Sequence, residues 1–382
     1  MLLLYSGTMR NASKPHASSP EQFFLFLSSV RIGLINAYST LNLGDAAIYS
    51  AFRKLLPDVE LVGCVQDERP DPTLGVNFLP YRPRNCDAYV SVGGDIFNNS
   101  REWFVTKAFL KNLAELRHSP KRTILFGQSI PRSCHGLSFL MLQRYLKRLA
   151  AVCVRDAESH KRLCAAGVKA RLSYDVAFVL EGSLLAEALA RQCLERLAID
   201  PSKAAVLSVR GFDSMYGHDN QDFVVRMAQL CANLTEEGLR PLILIQSGAY
   251  GSDNDLEVAA AIQERSPGTA ILNPFVDDPK VPSWQLAMAL FALVDLVIAV
   301  RFHTAVLSLA AGRVPYHLHY SNKGRDLCHR LDLPGCDLAS LEPATAMPAI
   351  LATRGRLFDH QPVRAQVRRD FQWCLDQLPG AA

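Results

Sequence analysis

An alternation of short apolar runs and amphipathic segments constrains the fold of this chain more than any other feature of its sequence. Runs rich in valine, isoleucine and leucine are typical of buried β-strands, and they lie at residues 31–37, 61–65, 87–92, 123–127, 151–154, 204–209, 241–246, 269–272, 296–300 and 314–318. Segments with apolar residues at helical spacing separate most of them, at residues 46–56, 104–116, 137–149, 157–166, 221–237, 255–264, 284–293 and 305–311. Strands that alternate with helices form parallel sheets. The sequence therefore predicts an α/β protein with two doubly wound, Rossmann-like domains that face each other across a cleft, and residues 314–318 are its last predicted strand.

The 382 residues suffice for two domains. We assign residues 31–182 to an N-terminal domain, 183–202 to a helical connection, 203–350 to a C-terminal domain, and 351–382 to an amphipathic helix that packs back on the first domain. The apolar runs within residues 1–30 are shorter than the roughly 18 residues of a membrane span. We expect those residues to be a disordered or mis-assigned leader, and a weak signal peptide is the alternative.

Charge and cysteine usage exclude several classes of function. The net charge is +4 and the pI is near 8.5, without a basic run interleaved with aromatic residues, so we expect no nucleic-acid binding. The ten cysteines are scattered without a C-x-x-C pair, which argues against a zinc or redox centre. Scattered cysteines in a chain of this size fit reduced thiols in a cytoplasmic protein.

The run at residues 296–300 leads directly into Arg301 and His303. A helix is predicted from residue 305 until Gly312 ends it, so both side chains lie where a parallel strand passes into a helix. Ligands bind at this edge of open α/β sheets, and helix N-termini attract anions. The local sequence leaves two interpretations open. One is an anion site that contains a proton donor, and the other is a loop histidine beside an arginine in a surface ion pair.

Other predicted strand ends also carry charges that a packed core does not need. Cations follow strands in both halves of the chain, namely Arg155, Arg210, Arg301 and Lys323. Each has a structural alternative, since Arg155 can pair with Asp156 and Lys323 can be a solvated loop lysine. Their shared position favours one cleft ringed by cations. Such a cleft suits a ligand with several negative charges, because guanidinium groups hold carboxylates and phosphates in bidentate fashion.

Two glycine-containing turns lie at strand ends as well. Residues 42–45 read Asn-Leu-Gly-Asp, and residues 93–95 read Gly-Gly-Asp. Glycine lets a backbone or a ligand approach closely. Asp45 has the alternative role of a helix cap.

From residue 32 to residue 330 the sequence resembles the polysaccharide pyruvyl transferases. The resemblance rests on short motifs in a fixed order: residues 42–45, 91–94 (Ser-Val-Gly-Gly), 126–128 (Phe-Gly-Gln), 154–156 (Val-Arg-Asp), 175–178 (Asp-Val-Ala-Phe), 208–210 (Ser-Val-Arg), 301–304 (Arg-Phe-His-Thr), and Tyr320 with Lys323. The sequence departs from the family pattern at Leu41, at residues 129–132 and at residues 321–322.

The resemblance implies a fold of the glycosyltransferase B type and transfer of the pyruvyl unit of phosphoenolpyruvate to a saccharide as a cyclic ketal. It implies that His303 is the general acid and that Arg155, Arg301 and Lys323 hold phosphoenolpyruvate. Arg210 follows a strand in the same way, and we assign it to the same donor site as a fourth cation. The acceptor side, or the wall of the cleft, is assigned to Asn42, Gly44, Asp45, Gly93 and Gly94. Phosphoenolpyruvate is the co-substrate, and we expect neither a metal nor another cofactor.

The same resemblance favours a role in polysaccharide or glycoconjugate biosynthesis in the cytoplasm. It leaves open a lipid-linked acceptor, peripheral contact with the inner face of the membrane, and the oligomeric state. Two rival functions also stay open. One is a glycosyltransferase that uses a nucleotide sugar, with Asp253 and Asp255 as candidate nucleoside contacts. The other is a non-catalytic family member that binds an anion.

Overall fold

Two parallel sheets organise the protein. The structure is a computed structural model that describes residues 30–99, 104–212, 220–248, 254–275 and 279–380, so the predicted leader, apart from residue 30, lies outside the described residues. Within the described part, thirteen strands form a seven-stranded and a six-stranded sheet, and twelve α-helices surround them. The predicted α/β fold with two doubly wound domains is confirmed.

The first sheet is built from the N-terminal half of the chain. Its strands are β1 (Arg31–Ile35), β2 (Glu60–Gly63), β3 (Asn77–Phe78), β4 (Ala88–Ser91), β5 (Thr123–Gln128), β6 (Ala151–Val154) and β7 (Ala170–Leu172). Its helices are α1 (Leu43–Leu55), α2 (Lys107–Arg117), α3 (Gly136–Leu146) and α4 (Ala157–Ala165). A helix, α5 (Leu184–Arg196), then leads to the second half.

The second sheet follows the same plan. Its strands are β8 (Ala204–Ser208), β9 (Arg240–Leu244), β10 (Ala270–Leu272), β11 (Leu296–Ala299), β12 (Tyr316–His319) and β13 (Gly335–Asp337). Its helices are α6 (Asn220–Glu236), α7 (Leu256–Arg265), α8 (Ser283–Leu293), α9 (Phe302–Ala310), α10 (Asn322–Leu331) and α11 (Pro343–Leu351), and α12 (Gln361–Leu375) follows them.

The strand order places a ligand-binding edge in each sheet. The orders are β3-β2-β1-β4-β5-β6-β7 and β10-β9-β8-β11-β12-β13, and every described strand pair is parallel. In each sheet the chain therefore reverses its direction of winding once, between β1 and β4 and between β8 and β11. Open α/β sheets bind ligands at such switch points, beyond the carboxyl ends of the strands.

Backbone contacts hold the two switch points together. The turn before α1 meets the loop after β9, because Leu43 N–H donates to the carbonyl of Gln246 over 2.8 Å and Gly248 N–H donates to that of Leu41 over 2.8 Å. A side-chain bond joins the halves nearby, where the Trp284 indole donates to the Ser50 hydroxyl over 2.9 Å. The carboxyl edges of both sheets thus line one cleft.

The last helix, α12, returns to the first sheet. Its Phe371 is 2% exposed and lies 5.7 Å from the Phe52 ring and 5.1 Å from the Phe126 ring, as measured between centroids. Aromatic pairs at these separations add to the stability gained by burial. The exact domain boundaries stay a prediction.

The prediction that residues 314–318 form the last strand was wrong. The strand at this place is β12, and β13 follows it and pairs with it in parallel. The edge strands β3, β7 and β13 were also not predicted. They are two or three residues long and contain the polar residues Asn77, Arg171 and Asp337, so they lack the apolar run that marks the central strands. No helix in the described part of the chain is both long and apolar enough to cross a membrane.

Candidate active site

The candidate site is built around the first turn of α9. The helix begins at Phe302 rather than at the predicted residue 305, so His303 lies inside the helix and Arg301 occupies the capping position before it. The hydroxyl of Ser208, at the end of β8, accepts hydrogen bonds from the backbone N–H groups of Val300 and Arg301 over 2.9 and 3.1 Å. These bonds fix the start of α9 at the switch point of the second sheet.

His303 reaches across the cleft and packs against the first half of the protein. Its Nε2 lies 3.4 Å from Asp175 Oδ2, and its side chain is 15% exposed. A Cβ atom on Gly44 would lie 2.0 Å from His303 Nδ1, so the imidazole rests directly on the Gly44 backbone. Only glycine leaves room for the ring at that position.

The environment of His303 favours the neutral imidazole. Burial is the largest influence and lowers the pKa of His303, and the nearby charges of Arg155 and Lys323 lower it further. Asp175 opposes them, because a carboxylate stabilises an imidazolium. The net effect is a pKa below the usual value of 6.5.

The Phe302 ring makes a cation–π contact with one cation from each half of the chain. The Arg155 guanidinium lies 4.7 Å from the ring centroid, and the Lys323 ammonium lies 5.5 Å from it. Cations over an aromatic face at these distances are stabilised by the ring quadrupole. The structure thus brings the residue after β6 and the first turns of α9 and α10 to one place.

Two carboxylates neutralise these cations. Arg155 donates to Asp175 Oδ2 over 2.6 Å and approaches Asp95 Oδ1 at 3.4 Å, and Lys323 donates to Asp95. Burial opposes ionisation of both acids, but the neighbouring positive groups outweigh it and lower the pKa of each. The cleft is ringed by cations as expected, but Arg155 and Lys323 are already balanced there by Asp95 and Asp175.

The structural alternatives weighed for Arg155 and Lys323 do not hold. Asp156 caps α4 by accepting from Ser159 N–H over 2.8 Å, while the Arg155 side chain is 1% exposed and pairs elsewhere. The Lys323 side chain is 15% exposed and ion-paired, so it is not a solvated loop lysine.

Arg301 and Arg210 form a second group at the ends of β11 and β8. Arg301 is ion-paired with Asp255, whose other oxygen accepts from the backbone N–H groups of Gln246 and Ser247 over 3.0 Å each. The pair is buried, with side-chain exposures of 10% and 0%, so the alternative of a surface ion pair is wrong. Arg210 donates to the Tyr320 hydroxyl, and its guanidinium lies 5.0 Å from the Tyr320 ring centroid.

The predicted acceptor-side residues have mainly structural contacts. The Asn42 side chain caps α1 by accepting from Gly44 N–H over 3.0 Å and Asp45 N–H over 3.3 Å, so Asn42, not Asp45, is the N-cap. Gly93 and Gly94 follow β4, and a Cβ on Gly93 would lie 2.9 Å from the Gly127 carbonyl oxygen. Asp45 lies in the first turn of α1 and is partly exposed.

A cavity of about 280 Å³ opens beside Lys323, between the two halves. Its lining comes from the loop before α3, the start of α4, the segment after β4 and the turn before α10. Polar side chains are prominent in it, and they include Asn98, Ser129, Ser133, Glu158, Tyr320 and Asn322. Hydroxyl, amide and carboxylate groups in one concave site suit a polar ligand.

Sequence reasoning assigned no role to Phe302, Asp95, Asp175 or the cavity-lining loop. A signal was present for both aspartates, since Asp95 directly follows the motif at residues 91–94 and Asp175 begins the motif at residues 175–178. Their partners lie far along the chain, and local sequence does not reveal such pairs.

Known proteins resemble this chain in sequence family and in fold. A family model described as polysaccharide pyruvyl transferase matches residues 42–322. No curated protein matches the chain. Among solved structures, UDP-GlcNAc 2-epimerase from Methanocaldococcus jannaschii is 10% identical to this chain and has a TM-score of 0.57. The alignment covers 90% of this chain and 98% of the epimerase chain. UDP-GlcNAc 2-epimerase from Neisseria meningitidis bound to UDP-GlcNAc is 8% identical over 91% and 100% of the two chains, with a TM-score of 0.58. At such identities the likeness shows the fold alone, which is of the glycosyltransferase B type.

Proposed function

The chain belongs to the polysaccharide pyruvyl transferase family, and on that premise we propose that it transfers the pyruvyl group of phosphoenolpyruvate to a saccharide as a cyclic ketal. One observation carries the proposal. A histidine from the second half lies in the cleft against Gly44 and Asp175, beside a cation from each half of the chain. A proton-donating histidine and cations at one edge between the domains suit phosphoenolpyruvate, which is small and highly negative.

Donor binding exchanges one anion for another. Phosphoenolpyruvate carries a carboxylate and a phosphate, and Lys323 is held by the Asp95 carboxylate in the free protein. A donor oxygen that replaces Asp95 releases it towards Arg155, which it already approaches at 3.4 Å. The exchange keeps each charge paired, which matters because an isolated buried charge is costly. Arg301 and Arg210 supply further positive groups at the neighbouring strand ends.

His303 then becomes the general acid. Its pKa is lowered in the free protein, and a bound donor with nearly three negative charges raises it again, since opposite charges nearby favour the imidazolium. Asp175, 3.4 Å from Nε2, stabilises that imidazolium. Because Gly44 covers Nδ1 and Asp175 faces Nε2, delivery of the proton requires the ring to turn towards the donor when the cleft fills.

The reaction follows from that proton transfer. The imidazolium protonates the methylene carbon of the donor, and the adjacent carbon becomes oxocarbenium-like. A sugar hydroxyl adds to that carbon and loses its proton. Phosphate then leaves with the electrons of its bond to that carbon, which becomes oxocarbenium-like again. A second hydroxyl of the same sugar adds there and loses its proton to the departed phosphate, which closes the ketal ring. A positioned acid contributes roughly 10²–10⁴-fold in rate, and the cations stabilise the departing phosphate.

In this scheme the saccharide occupies the cavity beside Lys323. A saccharide acceptor is consistent with the family. The cavity of about 280 Å³ has hydroxyl and amide groups from Ser129, Ser133 and Asn98 that can bond sugar hydroxyls. The sugar is then not held by the residues first assigned to the acceptor side. These residues shape the wall of the cleft and the surface on which His303 packs, and they are Asn42, Gly44, Asp45, Gly93 and Gly94.

The test is a donor and acceptor assay. We expect the protein to release phosphate from phosphoenolpyruvate only with a suitable lipid-linked or nucleotide-linked sugar, and mass spectrometry to find a pyruvyl adduct on that sugar. His303→Ala should abolish turnover and leave phosphoenolpyruvate binding intact, whereas His329→Ala, on the exposed side of α10, should retain both. Turnover at the wild-type rate in His303→Ala refutes the acid role.

The same assay separates the rival functions. Release of a nucleoside diphosphate from a nucleotide sugar favours a glycosyltransferase, and phosphoenolpyruvate binding without any turnover favours a non-catalytic member. Of the candidate nucleoside contacts, Asp253 lies outside the described residues. Asp255 is 0% exposed and occupied by Arg301 and two backbone N–H groups, which counts against a nucleoside there.

A further inference from the structure

Helix α2 carries an unusual outward face for a soluble helix. The residues Lys107, Leu110, Lys111, Ala114 and Arg117 recur at helical spacing and are exposed, and Leu110 is 41% exposed. The opposite face is buried through Phe109, Leu113 and Leu116. An outward stripe of leucine, alanine and cations without an acid differs from the mixed charges of an ordinary solvated face.

The neighbouring helix α3 repeats the pattern. Its exposed stripe consists of Leu137, Leu140, Arg144 and Lys147, and the two leucines are 59% and 43% exposed. The two helices cover the same face of the first sheet and pack against each other over a shared core. Together they define one surface, which we name the α2–α3 face.

Positive charge is concentrated in the chain segment that carries the α2–α3 face. The segment 104–150 holds nine lysines and arginines and one acid, Glu115, whereas the entire chain has a net charge of only +4. The Glu115 side chain is 12% exposed, pairs with Arg82 and accepts from the Asn36 backbone N–H, so it turns away from the surface. The remainder of the chain is correspondingly acidic.

We propose that the α2–α3 face binds an anionic membrane surface. Leucines between cations on the outer side of a helix insert into the boundary between headgroups and acyl chains, and the cations meet lipid phosphates. The exposed leucines have no such role on nucleic acid, where aromatic and polar contacts dominate. Dimerisation through this face is disfavoured, because a second copy of the face would bring like charges together.

The location of the α2–α3 face relates it to the cleft. The loop at residues 129–133 lines the cavity and leads into α3, whose first turns carry Leu137 and Leu140. A saccharide on a lipid carrier can then enter the cavity while its lipid stays in the bilayer. That last step rests on the proposed function, whereas membrane binding itself does not.

Vesicle co-sedimentation tests the proposal without any enzymatic readout. We expect the full chain to bind vesicles of phosphatidylglycerol and phosphatidylcholine in equal parts, not vesicles of phosphatidylcholine alone, and to release as salt is raised. The double variant Arg144→Glu, Lys147→Glu should bind at least about 25-fold more weakly, at about fivefold for each lost cation. Leu137→Ser, Leu140→Ser should lower affinity about tenfold.

The control is a second pair of exposed leucines. Leu184 and Leu185 on α5 are 86% and 53% exposed but lie near Glu181 and Glu187, so Leu184→Ser, Leu185→Ser should bind like the wild type. All variants change exposed side chains and should melt at the wild-type temperature. Equal loss in both leucine pairs, binding to duplex DNA but not to vesicles, or a dimer abolished by Leu137→Ser, Leu140→Ser overturns the proposal. A protein that binds anionic vesicles without turning over phosphoenolpyruvate would refute the proposed function alone.

Discussion

Replacing Gly44 with alanine should displace the imidazole of His303 while leaving the backbone of α1 unstrained. Gly44 does not adopt a left-handed conformation, and alanine in a helix is favoured over glycine by about 1 kcal/mol. The added Cβ, however, would lie 2.0 Å from His303 Nδ1 and 2.6 Å from Cγ. Any loss of stability or activity in Gly44→Ala therefore reports on the contact with His303.

The geometry sets the size of the effect. Ordinary contact begins at 3.4 Å, so the ring and α1 must separate by about 1.4 Å. Overpacking of this kind costs about 1–3 kcal/mol of the free energy of unfolding, less the gain in helix propensity. A misplacement near 1 Å can lower a catalytic rate about 10²-fold, so under the proposed function kcat should fall at least that far.

Thermal unfolding and the phosphate-release assay measure the two consequences. Gly182→Ala is the matched control, because nothing lies within 4 Å of a Cβ at that position. In the double variant Gly44→Ala, His303→Ala the steric conflict is absent, so the cost of Gly44→Ala should shrink by about 1 kcal/mol or more. The reasoning is refuted if Gly44→Ala matches the wild type in melting and turnover, or if its cost is unchanged when His303 is alanine.

Three further predictions follow from buried groups. Asp175→Asn removes the carboxylate that raises the pKa of His303, so the limb of the kcat–pH profile set by His303 should move to lower pH, and a limb that stays in place argues against the pairing. The same variant leaves the buried Arg155 with one weaker partner, so the free energy of unfolding measured in urea should fall by about 3 kcal/mol. Burial is the main cause that lowers the pKa of His317 to about 4, below the 6.5 of an unfolded chain. As pH falls, the unfolded state therefore takes up the proton first, and the free energy of unfolding should decrease by about 3 kcal/mol between pH 6.5 and pH 4. His317→Gln should reduce this pH dependence of the urea midpoint. Phe371→Ala should cost about 3–5 kcal/mol because it empties an aromatic cluster under α12, whereas the exposed Val225→Ala should change stability by less than about 0.5 kcal/mol in the same measurement.

The alternation of elements was readable because buried parallel strands are apolar along their whole length. The run at residues 296–300 became β11, and the polar residues after it became the start of α9. Short edge strands escaped prediction, since β13 makes its bonds on one side only and needs no apolar run. The start of α9 was placed too late because Phe302 and His303 carry no helix signal of their own.

The cations of the site were also readable, whereas their electrostatic state was not. Arg155 and Lys323 follow strand ends, and parallel topology sends such residues to one edge. Their acid partners Asp175 and Asp95 lie 20 and 228 residues away in the chain, and only the folded structure places them within reach. The sequence showed the cations around the cleft, whereas the pairing of Arg155 and Lys323 with two aspartates became visible only in the folded structure.

The sequence by itself determined the two-sheet architecture, the edge at which chemistry can occur and the family to which the chain belongs, because hydrophobic period and short motifs are local properties of a chain. The tertiary structure decided which groups meet across the cleft: the imidazole of His303 on the backbone of Gly44, two cations on one Phe302 ring, and basic leucine-bearing faces side by side on α2 and α3. Those outcomes depend on how the two sheets pack against each other, which local sequence patterns do not specify.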